Sequence, residues 1–138
     1  MAGIKGKDTK PELLVRKMLH ARGFRYRVHD SKLPGKPDIV LTKYKAVLFI
    51  HGCFWHGHDC SLFRMPASRT EFWEQKISRN RELDISNIEK LRRSGWRVGV
   101  IWECTVKGKS KVSSVDITDK TVKWILSADN TFELRGNL

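Results

Sequence analysis

The segment His51-Gly-Cys-Phe-Trp-His-Gly-His-Asp-Cys60 constrains the fold more than any other stretch of this chain. It gathers two of the three cysteines and three of the five histidines into ten residues. Cys53, His58 and Cys60 follow a C-x4-H-x-C spacing, and the remaining cysteine, Cys104, ends a predicted strand. Thiolate and imidazole are the ligands tetrahedral zinc favours, and a closed structural site takes four of them. The competing reading is a set of ordinary buried cysteines and loop histidines. An odd cysteine count does not suit a disulfide framework, and a loop this long needs something to hold it. One structural Zn2+ is therefore expected on Cys53, His58, Cys60 and Cys104, with no open position for chemistry. His51 and His56 are left over. In a strongly basic protein they are candidates for phosphate contact or proton transfer.

The rest of the chain frames that segment. Its 138 residues suit one domain, 1–138, with a flexible basic arm over 1–8. Thr9-Lys10-Pro11-Glu12 is a capping box with an early proline, and Leu14, Val15, Met18 and Leu19 recur at helical spacing up to Gly23. Phe24 to His29 alternates as a half-buried strand does, and a turn-rich loop follows to Pro37. Strands are predicted over Asp38–Leu41 and Lys45–Ile50, the second almost continuously apolar. A long helix is predicted over Glu71–Arg93, a strand over Trp96–Cys104 and a last helix over Asp116–Ser127; the tail over 128–138 shows no pattern. The order α-β-β-β-α-β-α makes an α/β fold with a mixed sheet flanked by helices.

Charge bears on the partner. Lys and Arg number 27 against 15 Asp and Glu, a net charge of +12. That surplus points first to nucleic acid, with an anionic membrane surface or an acidic protein as alternatives. No apolar run approaches the roughly 18 residues of a membrane span, and the first residues carry no apolar signal core. Membrane-spanning and secreted classes are set aside. Asp38 heads a buried strand beside the one that delivers His51. A carboxylate there can bind Mg2+, or it can be a plain turn residue or strand cap.

Several motifs then combine in order: Pro37-Asp38, Phe49-Ile50-His51-Gly52-Cys53-Phe54-Trp55-His56, His58, Cys60, Arg69-Thr70-Glu71-Phe72-Trp73, and Trp96 through Trp102-Glu103-Cys104. Together they closely resemble the very-short-patch repair (Vsr) endonucleases, bacterial enzymes that nick mismatched DNA. The resemblance implies a fold similar to type II restriction endonucleases. It implies Asp38 as the central Mg2+ ligand with the main-chain carbonyl of Ile50, two Mg2+ ions in all, and Glu12 and His51 holding metal-bound waters. It places His56 at the scissile phosphate and gives Asp84 the task of orienting a catalytic histidine. Phe54, Trp55 and Trp73 resemble the family's aromatic wedge, and stacking on a base is worth about 1–3 kcal/mol. Lys76, Asn80 and Asp84 share one face of the long helix, and the family sends polar contacts from that helix to DNA.

The implied substrate is double-stranded DNA with a T:G mismatch left by 5-methylcytosine deamination, nicked 5′ to the T. A functional link to a cytosine-5 methyltransferase, a monomeric state and a bacterial cytoplasmic location go with it. The acidic-x-Lys pair usual in restriction-like nucleases is missing on the strand ending at His51, as it is in this family. The arm before Glu12 is shorter than in many members, and Met1 is the residue expected to reach the duplex from it.

Overall fold

The apolar run ahead of His51 becomes the middle of a five-stranded sheet. A computed structural model of the chain describes residues 9–60, 62–108 and 111–136. The expected basic arm over 1–8, with Met1, lies outside the described residues. Helix α1 (Lys10–Ala21) is followed by β1 (Arg27–Val28), β2 (Ile39–Leu41) and β3 (Ala46–His51), then α2 (Thr70–Arg93), β4 (Arg97–Trp102), α3 (Ser114–Leu126) and β5 (Thr131–Leu134). The strands lie side by side in chain order. β1, β2 and β3 pair antiparallel, whereas β3–β4 and β4–β5 pair parallel. Each parallel pair is joined through a helix, as a parallel crossover demands.

Helices cover both faces of the sheet. Ile39, Leu41, Ala46, Leu48 and Ile101 pack with Val15 and Leu19 of α1 and with Ile117, Trp124 and Ile125 of α3. On the opposite face, Val40, Val47, Phe49 and Val98 pack with Leu91 of α2. The alternation along β3 is the period of a strand buried on both sides, which is why its sequence is apolar throughout. Gly99 lets β4 approach the first layer closely: a Cβ there would meet Leu48 at 2.8 Å and Trp124 at 3.0 Å. The ends of the helices are stopped by the expected chemistry. Thr9 accepts from the Glu12 amide, and Gly23 and Gly95 sit at φ 82° and 89° just past α1 and α2. The Arg97 guanidinium donates to the carbonyls of Trp124 and Ile125, satisfying the end of α3.

Three elements differ from the sequence expectation. The strand expected over 24–29 shortens to Arg27–Val28 at the sheet edge, with Val28 40% exposed. His29 ends it by taking a left-handed φ of 49°. The strand expected to reach Cys104 stops at Trp102, and Cys104 sits in a 3-10 turn over Glu103–Thr105. The unpatterned tail holds β5, whose four residues gain their order from pairing with β4 rather than from a local signal. Among the described residues, no helix is long and apolar enough to cross a membrane.

Candidate active site and metal centre

Antiparallel register decides where Asp38 lies. Ile39 of β2 faces Leu48 of β3, so the residue before β2 arrives at the carboxyl end of β3. There Asp38 Oδ2 accepts a 2.7 Å hydrogen bond from the Ile50 amide. Glu12 reaches the same place from α1, 1% exposed, and its carboxylate pairs with Arg16. Burial pushes the Asp38 carboxyl up to about 7; the Ile50 amide works against this, and the nearby Glu12 carboxylate adds to it. Two carboxylates sharing a buried corner fit a divalent cation, which offsets both desolvation and mutual repulsion.

Beside this corner the end of β3 presents His51, and the loop beyond folds back to set His56 on it. Their rings stack 3.9 Å apart at 11°. His56 Nδ1 is hydrogen-bonded to the Asp84 carboxylate of α2. His51 is buried, and its pKa is pushed down to about 3, first by burial and then by neighbouring His56. It is therefore a neutral imidazole at working pH, able to accept from a water. Its Nδ1 is buried without a hydrogen bond. Asp38, His51, His56 and Asp84 all line one cavity of about 590 Å3, together with His29 and Lys36.

The cysteines and His58 converge on the other side of the loop. His58 Nδ1 lies 3.5 Å from Cys53 Sγ and 3.6 Å from Cys104 Sγ. All four donor atoms, Cys60 included, lie within 4.8 Å of one another. Zn–S bonds of about 2.3 Å and Zn–N bonds of about 2.0 Å in a tetrahedron separate neighbouring S and N ligands by about 3.5 Å. The four residues thus fit a metal ion as they stand. Parallel pairing of β3 with β4 is what joins the loop after His51 to the turn after Trp102. Burial raises the Cys53 and Cys104 thiols, and the thiols crowd one another, so a cation is needed to ionise them together.

Outside the ligands, the Trp102 ring stacks on His58 at 4.0 Å and meets His51 edge-on. Trp102 Nε1 donates to Glu133 of β5. The Gly136 amide donates to Cys104 Sγ at 3.2 Å.

Helix α2 closes the far wall. Asn80 Nδ2 donates to the Trp55 carbonyl at 3.0 Å, and Lys76 Nζ sits 5.8 Å from the Trp55 ring. With Asp84, the face carrying these residues therefore packs on the loop. Gly57, at φ 61°, lets that loop touch α2, since a Cβ there would strike Ile77 at 2.7 Å. Phe54, Trp55 and Trp73 form a half-buried aromatic cluster, with ring centres 5.2–5.8 Å apart. None of the three belongs to the packed core on either face of the sheet. The structure thus brings Glu12 to Asp38, and His51, His56 and Asp84 to the same cavity, with the zinc-type ligands behind them. Sequence reading gave no functional role to His29, Lys36 or Trp102. The signal for His29 was a histidine ending the alternating run just ahead of the loop to Asp38.

Residues 1–62 match the family model described as DNA mismatch endonuclease Vsr. The type II nicking enzyme V.NmeAIP of Neisseria meningitidis is 54% identical over 80% of this chain and 79% of its own length. The DNA mismatch endonuclease Vsr of Escherichia coli K12 is 44% identical over 91% of this chain and 80% of its own. The type II nicking enzyme V.XorIIP of Xanthomonas oryzae is 47% identical over 75% and 76%. This chain belongs to the Vsr family of DNA mismatch endonucleases.

Proposed function

We propose that the chain nicks one strand of double-stranded DNA 5′ to the T of a T:G mismatch, by Mg2+-dependent hydrolysis, and so starts very-short-patch repair. The observation that carries this reading is a single cavity shared by Asp38, His51, His56 and Asp84, with Phe54 and Trp55 just ahead of His56 in the same loop. Asp38 and the main-chain carbonyl of Ile50 hold two Mg2+ ions, with Glu12 and His51 on their waters. Bound there, Mg2+ supplies Lewis-acid polarisation of the phosphate and charge stabilisation at the leaving oxygen.

The protein groups do the remaining work. Asp84 fixes the His56 ring through Nδ1, leaving Nε2 for the attacking water or the scissile phosphate. Neutral His51 keeps its stacked neighbour in plane. Phe54, Trp55 and Trp73 enter the base step beside the mismatch, where unstacking costs least. Lys76 and Asn80 contact the backbone from α2, and Met1 reaches the duplex from the arm. One Zn2+ on Cys53, His58, Cys60 and Cys104 braces the loop that carries the wedge and His56. A restriction-endonuclease-like fold, a single endonuclease unit over 1–138, a monomeric state, a bacterial cytoplasmic setting and a functional link to a cytosine-5 methyltransferase belong to the same reading.

The test compares single-turnover nicking of T:G and T:A duplexes of one sequence in Mg2+, with the nick mapped on an end-labelled strand. Nicking confined to the T:G duplex, 5′ to the T, is expected. Equal rates on both duplexes would favour a restriction-like enzyme with no need for a mismatch.

A further inference from the structure

The corner that holds Asp38 also holds a nitrogen donor. His29 N–H donates to the Asp38 carbonyl at 3.3 Å, and the left-handed backbone at His29 turns its ring into the cavity. That φ is costly for a residue with a Cβ, so the surroundings must hold it there. His29 Nε2 lies 2.6 Å from Glu12 Oε2 and 3.9 Å from Asp38 Oδ1. All three donor atoms fall within 4.8 Å of one another. Nε2 is buried, and although close to Glu12 it makes no hydrogen bond of acceptable geometry. Glu12 is already engaged by Arg16.

Ligands at about 2.1 Å around an octahedral ion stand about 3 Å apart when adjacent and about 4.2 Å apart when opposite. At 3.9 Å, His29 Nε2 and Asp38 Oδ1 stand wider than adjacent octahedral positions, so they close by about 1 Å to share an ion. Oxygen donors alone suit Mg2+, whereas an imidazole in the set shifts affinity toward first-row transition ions. Resting on the reading of Asp38 as a metal ligand, we propose that His29 Nε2 joins Asp38 as a direct ligand of the catalytic divalent ion. Glu12 remains beside them as the water-holding carboxylate. The site therefore binds a first-row transition divalent ion as well as the Mg2+ of the proposed reaction.

The probe is Mn2+ added to the full, zinc-loaded chain, read by pulsed electron paramagnetic resonance and by calorimetric titration. The unmutated protein is expected to show a 14N coupling from a ligated ring, converted to a 15N coupling when histidine is 15N-labelled. His29→Gln is expected to remove the coupling and to weaken Mn2+ binding at least ~10-fold, while Mg2+ binding changes less than ~3-fold. Should His29→Gln fail to fold, the labelled unmutated chain still decides whether a histidine is bound. Mn2+ that binds in an Asp38-dependent way with no nitrogen coupling overturns the role of His29 and leaves the Asp38 reading intact. So does a coupling that survives His29→Gln. Mn2+ binding indifferent to Asp38→Asn overturns both.

Discussion

His56 and Asp84 come from a loop and a helix far apart in the chain, yet their hydrogen bond fixes which ring nitrogen faces the cavity. In the proposed reading Asp84 acts through His56, as a positioning residue. Asp84→Asn is expected to lower kcat about 100-fold with KM for the mismatched duplex nearly unchanged. A rise in KM alone would place Asp84 in DNA binding instead. Asp38 carries a second expectation. Its folded pKa of about 7 lies above the ordinary carboxylate value of 3.8. Between those values the folded chain holds a proton that the unfolded chain has released. The stability contributed is full below about pH 4 and is lost as pH rises toward 7. Thermal melts without Mg2+ are expected to show the unmutated chain losing Tm against Asp38→Asn across that window. Parallel curves would mean that the carboxyl is not perturbed. Asp38 and His56 stood out in the sequence as candidates, while the family resemblance supplied their roles and that of Asp84. His29 was seen only as the end of a strand, because its place beside Asp38 depends on a backbone angle and on a strand pairing that no local pattern encodes.

The elements were legible in proportion to how local their signals are. β3 declares itself by five consecutive apolar residues, and α1 by its cap, its periodicity and Gly23. β1 and β5 depend on neighbours: two residues at an edge and four after a turn carry little pattern of their own. β5 matters beyond its length. It buries Leu134, accepts from Trp102 through Glu133, and leads to the Gly136 amide on Cys104 Sγ. Groups around a metal ligand commonly change metal affinity about 10–100-fold. With Zn2+ in the proposed site, a chain ended at Ser127 is therefore expected to lose it to a chelator at least about tenfold faster and to melt at lower temperature. Unchanged zinc retention would show that β5 is dispensable to the metal centre. The four ligands themselves were readable from spacing, whereas this outer layer was not, since it joins residues from three separate segments.

For the molecule as a whole, the carboxyl end of the central strand assembles the chemistry. The carboxyl end of β3 leads into the cavity and, through the loop, to the cysteine cluster, and Phe54 and Trp55 lie in that same loop. A net charge of +12 suits the polyanion that a DNA endonuclease cuts. The direct measurement is single-turnover nicking of a T:G duplex by the unmutated chain and by Asp38→Ala in Mg2+, with duplex affinity measured on the same samples. Loss of nicking by at least about 1,000-fold, with affinity within a few-fold, is expected if Asp38 acts in the chemical step. Nicking that persists in Asp38→Ala would move the active site away from this cavity.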